Sequence, residues 1–371
     1  MTWQYEVMPS PFASIDILRC RIYNAERIMI IFAIETSCDE TAVAIIRNGR
    51  EVLSSELFSQ SDMHAVYRGV VPEIASRNHT AVIGQLSELA LKNAGVSKKD
   101  IDAVAVTCAP GLIGALLVGV NFAKSLALAL DVPLIPVHHI RGHIAANYIA
   151  FPDLEPPFLS VIVSGGNSII ADVQGYTDIC IVGRSRDDAA GECFDKVARV
   201  LGLGYPGGPA LDNLAQNGDD SLFTLPHPVI EGFPYDMSFS GLKTAIVNIV
   251  HNAEQKGETL DIASLAASFT RTVSEILIPR VMAAATALGR DKIAVAGGVA
   301  ANTRIRADFT KAVKADQCFL FIPPLKLCGD NAAMIGCQGY YEYLAGVRGK
   351  MNLDAFATLD VDSEFYVMNR E

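Results

Sequence analysis

Apolar positions along the chain fall into short blocks that alternate between two periods. Residues 29–36 (MIIFAIET) and 41–49 (TAVAIIRNG) are nearly continuous apolar runs separated by a short acidic turn, and they predict adjacent strands, with 51–59 (EVLSSELFS) a third. Residues 72–95 (PEIASRNHTAVIGQLSELALKNAG) switch to helical spacing, open on proline and close on Gly95, as a capped helix does. A buried strand at 101–111 (IDAVAVTCAPG), an apolar helix at 112–130 and a strand at 132–139 (VPLIPVHH) complete a βαβ pattern that leads into a histidine-bearing helix. The run LIGALLVGVNFAKSLALAL (112–130) contains Asn121, Lys124 and Ser125 and starts from a Pro-Gly turn, so it reads as a buried helix and not a membrane span.

The Pro-rich, acidic stretch FPDLEPPF (151–158) marks a plausible boundary, and a second series follows it. LSVIVSGGNSIIADVQG (159–175) predicts a hairpin, DICIVGRSRDDAAGECFDKVARVLGLG (178–204) a strand then a helix, and KIAVAGGVAANTRIRADFTKAV (292–313) a strand, a Gly-rich turn and a helix. The two series share an order: strand, glycine or acidic turn, strand, then helices. A weak internal duplication of this kind implies two similar α/β lobes with a cleft between them.

With 371 residues the chain is long enough for two domains with large cores. Its net charge of −11 does not advertise a nucleic-acid surface, although a local patch or a partner can supply one; Arg77, Lys98, Lys99 and Arg184 to Arg186 are the basic positions to watch. Eight scattered cysteines without a C-x-x-C pair exclude a zinc ribbon or disulfide framework and suit a reducing compartment. Residues 1–28 mix acidic and basic residues without an apolar core, unlike a secretory or transit peptide, and are expected to be dispensable.

Five stretches carry candidate chemistry. In IETSCDETA, Asp39 and Glu40 are either solvated turn formers or, in a cleft, a general base and its neighbour. VSGGNS is a plain hairpin turn or a phosphate cradle of backbone N–H groups. VAGGVAANTRIR runs a strand through Gly297-Gly298 into a helix, a tight turn or a nucleotide contact, and it is neither G-x-G-x-x-G nor a Walker A motif. On RDDAAGECFDKVARVLGLGYPGGPALD, Asp195 and Asp212 suit helix capping or ribose and amine contacts. In HHIRGH (138–143), His139 and His143 lie one helical turn apart, a metal-ligand spacing, and Asp330 of LCGDNAAM either caps the next helix or adds a carboxylate ligand. Two histidines and one aspartate suit Fe(II) or Zn and do not separate them. A zincin protease needs Glu after the first histidine, where this chain has Ile140.

Taken together, IETSCDETA, GVVPEIASR, APGLIGALLVG, HHIRGH, VSGGNS, DDAAGECFDK, LGYPGGPALD, SFSGLKTA, AGGVAAN and GDNAAM resemble, in content and order, the universal family of tRNA N6-adenosine threonylcarbamoyltransferases, with GVVPEIASR similar to its bacterial branch. The resemblance covers about residues 30 to 350. It implies the two-lobed actin, sugar-kinase and heat-shock ATPase fold, with lobe I at 29–137 plus about 329–371 and lobe II at 138–328. It implies transfer of a threonylcarbamoyl group from threonylcarbamoyl-adenylate to N6 of adenosine 37 in tRNAs reading ANN codons, in the cytoplasm. Carried over residue by residue, it implies His139, His143 and Asp330 as ligands of one iron(II) or zinc ion. Ile162, Val163, Ser164, Gly165 and Gly166 correspond to the adenylate loop, and Asp195, Gly208, Asp212 and Asn302 to other substrate contacts. Asp39 corresponds to the acidic catalytic residue and Glu40 to its neighbour. Expected partners are tRNA, an inactive paralogue of the same fold and a small P-loop ATPase, with no membrane. Two positions depart from the family pattern: Arg141 stands where Glu is usual between the histidines, and Asn167 where His is usual after Ser-Gly-Gly. The charge reversal at Arg141 either alters a contact with the metal surroundings, tRNA or a partner, or is a neutral change. A non-catalytic or ATPase-like scaffold of the same fold, and a metalloprotease, are the alternatives.

Overall fold

The computed structural model describes residues 28–67 and 69–363. The expectation for residues 1–28 therefore lies, apart from Ile28, outside the described residues, as does the end of lobe I beyond 363.

Two five-stranded mixed sheets dominate. The first joins β1 (Ile30–Glu35), β2 (Glu40–Arg47), β3 (Glu51–Ser59), β4 (Ala103–Ala109) and β5 (Leu134–His138) in the order β3-β2-β1-β4-β5. The second joins β6 (Phe158–Val163), β7 (Ser168–Val173), β8 (Ile179–Arg184), β9 (Lys292–Ala296) and β10 (Phe319–Phe321) in the order β8-β7-β6-β9-β10. Counted within each sheet, both orders are third, second, first, fourth, fifth. In each, the first three strands pair antiparallel and the last two extend the sheet in parallel. The repeated hairpin in the sequence is the visible trace of this duplication, and β1–β2 and β6–β7 occupy equivalent places.

β1, β4 and β6 are buried along their whole length, which is why they read as unbroken apolar runs and not as alternating ones. One face of the first sheet is covered by α2 (Pro72–Ala94) and α3 (Ile113–Leu130), and the second sheet carries α5 (Ala190–Val200), α6 (Gly207–Ala215), α7 (Ser240–Lys256), α8 (Ile262–Leu288) and α9 (Thr303–Ala315) on its outer side; the short α1 (Ser61–Ala65) follows β3. Between the sheets lie α4 (His139–Ala150) and α10 (Ala332–Leu344), packed on each other. α3 is long and apolar enough to cross a membrane, but Ala115, Leu116, Gly119, Val120, Ala123 and Ala127 bury one face on the sheet. Its other face is not buried: Leu128 is 70% exposed, so the expected buried helix is a half-buried one.

Gly142 sets the spacing of the central layer. A Cβ there would lie 2.7 Å from Ile335 Cδ1, so a side chain at this position would displace the end of the Ile335 side chain that packs α10 on α4. The glycine of HHIRGH thus gives α10 room for close packing on α4, beside His143 and one turn from His139.

Candidate active site and metal centre

His139 and His143 occupy the first turns of α4 and present their rings one above the other, with centroids 4.6 Å apart. Asp330 approaches from the loop before α10, its Oδ1 3.4 Å from His139 Nε2 and 3.2 Å from His143 Nε2. The three side chains offer ligand atoms that all lie within 4.8 Å of one another. Asp330 does not cap α10; Asn331 does, its Oδ1 accepting the Met334 N–H at 2.9 Å. The bland reading of Asp330 is thereby replaced by a carboxylate free to face the histidines.

The donor set fits a divalent cation. His143 is fully buried, and among the described residues neither of its ring nitrogens finds a well-formed hydrogen bond. An orphaned buried imidazole is costly unless something fills its lone pair. Two imidazoles and a carboxylate are the mixed N/O donors that hold iron(II) or zinc. The electrostatics agree. Burial opposes charge on His139, but the Asp330 and Glu35 carboxylates overrule it and raise its pKa well above the usual histidine range. Burial likewise works against ionised Asp330, and the two histidines overrule it and hold its pKa far below the usual range. The pocket is thus built to hold positive charge.

His138, the third histidine of the motif, stands apart. Its Nδ1 accepts the Ile140 N–H at 3.1 Å, capping α4, and its Nε2–H donates to the Leu359 carbonyl at 2.9 Å. Burial pushes its pKa down to about 3, as these neutral-ring contacts require.

A cavity of about 500 Å³ opens beside the metal group, and Glu40, Gly165, Asp195, Gly208, Asp212, Asn302 and Asp330 all line it. Glu40 of the first sheet, the turn after β6 and segments nearly 300 positions apart in sequence therefore face one space. Asp39 is buried at the turn above Glu40, and that turn is fixed by His79 of α2. His79 Nε2–H donates to the Cys38 carbonyl at 2.8 Å, and its Nδ1 accepts from the Thr41 hydroxyl at 2.7 Å. Burial, then the nearby Asp330 and Asp39 carboxylates, push the Glu40 carboxyl up to about 9.

The other sequence-derived positions divide by role. Asp195 accepts the Gly207 N–H at 2.9 Å and so shapes the turn before α6; burial, opposed by that contact, raises its pKa. Asp212 accepts from the Thr303 N–H and hydroxyl, capping α9 from across the cavity, while Asn302 caps the same helix through the Ile305 N–H at 3.0 Å. Gly165 and Gly208 face open space, with no atom within 4 Å of an added Cβ, so nothing in the protein's own packing demands glycine there. Gly297 differs: its φ of 90° and a Cβ that would stand 2.4 Å from the Val163 carbonyl demand glycine on structural grounds. The side chains of Ile162 and Val163 are buried in the two cores flanking β6, so only their backbone can reach a ligand. Ser164 spends its carbonyl on the Gly191 N–H. Gly166 and Asn167 line a separate cavity of about 200 Å³ with Leu359, Asp360 and Val361.

Arg141 belongs to this second region. Its guanidinium donates to the Val361 and Thr177 carbonyls and pairs with buried Glu342 of α10 at 3.0 Å, leaving its side chain only 4% exposed. A tRNA or partner contact, suggested by its charge, is excluded by that burial. Arg141→Ala would take the guanidinium away from buried Glu342, which keeps the Gln338 amide at 2.9 Å, and it is expected to cost about 3 kcal/mol of stability in denaturant unfolding, whereas the double variant combining Arg141→Met with Glu342→Leu should cost far less. The basic positions named from sequence are ion-paired where partners are described: Arg77 with Glu73, Lys98 with Glu88, Arg184 with Asp360 and Arg186 with Asp236.

Sequence reasoning missed Glu35, which stands 3.0 Å from His139 Nδ1, and His79. For Glu35 a signal existed: it is the one charged residue in the apolar strand IIFAIE, and a fully buried carboxylate must have partners.

Comparison with known proteins places this geometry. The family model for tRNA N6-adenosine threonylcarbamoyltransferase matches residues 51–337. A Staphylococcus saprophyticus protein of that name is 48% identical over 333 residues, covering 90% of this chain and 97% of its own. One from Clostridioides difficile is 46% identical, covering 90% and 99%. Among solved structures, HypF of T. kodakarensis aligns over 85% of this chain and 48% of its own, with a TM-score of 0.57 at 17% identity. Component A of the Acidaminococcus fermentans (R)-2-hydroxyglutaryl-CoA dehydratase aligns over 85% and 99%, with a TM-score of 0.51 at 16% identity. These distant structures share the two-lobed fold alone. By its relatives and by the match across most of its length, the chain belongs to the tRNA N6-adenosine threonylcarbamoyltransferase family.

Proposed function

We propose that this protein transfers the threonylcarbamoyl group of threonylcarbamoyl-adenylate to N6 of adenosine 37 in tRNAs reading ANN codons, releasing AMP. The observation that carries the reading is the single cavity in which Glu40, Gly165, Asp195, Gly208, Asp212, Asn302 and Asp330 meet. Its volume of about 500 Å³ is within the range of small-molecule sites.

The chemistry explains the arrangement. An exocyclic adenine amine is a poor nucleophile because its lone pair is delocalised into the ring, so the acyl donor must arrive activated as a mixed anhydride. A bond forms between N6 and the carbamoyl carbon, the bond from that carbon to the phosphate oxygen breaks, and AMP leaves. Asp39 accepts the N6 proton as attack proceeds. Open backbone at Gly165 and Gly208 admits the adenylate, and Asp195, Asp212 and Asn302 contact its polar edges. His139, His143 and Asp330 would hold an iron(II) or zinc ion, which supplies Lewis-acid charge to bind and orient the threonylcarbamoyl group. On this reading the lobes divide, over the described residues, at 29–137 plus about 329–363 and 138–328, with this cavity at their junction.

On this reading the enzyme works in the cytoplasm with tRNA, an inactive paralogue of the same fold and a small P-loop ATPase. The paralogue docks on the N-terminal lobe, where Ile113, Leu117 and Leu128 of α3 and Leu89 of α2 leave apolar side chains exposed. AMP release from threonylcarbamoyl-adenylate, measured with the partner proteins present, tests the reading. It should depend on tRNA and fall to background when adenosine 37 of the transcript is replaced by guanosine. Equal release from both transcripts would refute it.

A further inference from the structure

We propose that Glu35 is a positioning residue of the metal centre, whose buried carboxylate accepts the Nδ1–H of His139 and so aims Nε2 at Asp330 and His143. The inference rests on the metal reading of His139, His143 and Asp330 and extends it to a residue outside that group.

Glu35 ends β1, and none of its surface is exposed. Its Oε2 lies 3.0 Å from His139 Nδ1. The carboxylate is itself held from two sides. The hydroxyl of Thr107, on the neighbouring parallel strand β4, donates to Oε2, and the Ser37 N–H donates to Oε1. A carboxylate so fixed cannot swing away to follow a misplaced ring.

The tautomer follows from the inventory of donors. Both carboxylate oxygens of Glu35 already accept, from the Ser37 N–H and the Thr107 hydroxyl, so the ring nitrogen that faces Oε2 is placed as a further donor. That turns Nε2 to the opposite edge, toward Asp330 Oδ1 3.4 Å away, where a bound cation would take its lone pair. The Ser37 hydroxyl is also near Nδ1, at 3.2 Å, but a hydroxyl donates or accepts and adapts to the choice Glu35 makes. Among the described residues His143 has no such support, since its Nδ1 is buried there without a partner. The two histidines are therefore unequal: His139 is the pre-oriented ligand, and His143 completes the group. Supports of this kind, remote from the metal itself, change metal affinity by about 10–100-fold in other sites.

The test measures dissociation constants for Zn(II) and Co(II) by competition with a chromophoric chelator, on the full chain, together with the visible spectrum of the Co(II) form. Glu35→Gln should bind both metals about 10–100-fold more weakly than wild type while its thermal midpoint stays near that of wild type. Saturating metal should then restore most of the transfer rate, which a residue acting directly on substrate would not allow. Thr107→Val, which removes one of the donors fixing Glu35, should weaken binding in the same direction by less, and it decides the matter if Glu35→Gln does not fold. Unchanged metal affinity in whichever of the two variants folds would overturn the proposal, as would a transfer defect that saturating metal leaves intact. His139→Ala separates this from the underlying reading: if it binds metal as wild type does, the metal site itself is wrong and the role of Glu35 falls with it.

Discussion

Asp330→Ala should yield a folded protein that retains no stoichiometric metal and transfers at least about 10²-fold more slowly than wild type. The fold should survive because α10 is capped by Asn331 and not by Asp330. What is lost is the group's one carboxylate, 3.2 Å from one imidazole and 3.4 Å from the other. Two histidines alone offer too few donors and no negative charge to hold a divalent ion against water. Metal content by elemental analysis and the single-turnover transfer rate read the two consequences separately. A variant that keeps its metal, or that loses it and still transfers at the wild-type rate, would remove Asp330 from the centre.

Asp39→Asn should lower the transfer rate by about 10²–10⁴-fold and leave the KM for tRNA and the bound metal near their wild-type values. The substitution keeps the shape of the side chain and removes only its capacity to take a proton. The turn that carries it should persist, since it is tied by main-chain and neighbouring contacts: the Asp39 carbonyl accepts the Gln60 N–H at 3.2 Å, and His79 holds the Cys38 carbonyl. A loss smaller than about 10²-fold in single-turnover transfer would deny Asp39 the role of base.

The sequence made the architecture legible wherever burial imposes a period. The helix 72–94 with its left-handed Gly95, and the hairpin at 158–173, lie where their patterns put them. The repeated strand–turn–strand order announced two related sheets because both are built on a buried first strand. The site was legible in part. His139 and His143 could be paired from helical spacing, which is local. Asp330 is 187 residues beyond His143, and no periodicity connects them; only the resemblance to a family did. Glu35 escaped because its strand reads as core, and the reason for a carboxylate there is a ring that arrives 104 residues later. Arg141 stayed open for the same reason: its counter-charge, Glu342, is 201 residues away, so the sequence could not separate a buried ion pair from a tRNA or partner contact. Long-range pairing, in each case, is settled by the packing of α4 between the sheets.

The most direct test of the account is to incubate the protein with threonylcarbamoyl-adenylate, its partner proteins and unmodified ANN-decoding tRNA, digest the tRNA, and weigh its nucleosides, with His139→Ala run in parallel. Threonylcarbamoyladenosine is expected from the wild type and none above background from the variant. Its absence from both, with a folded protein and active partners, would contradict it and favour a scaffold of the same fold.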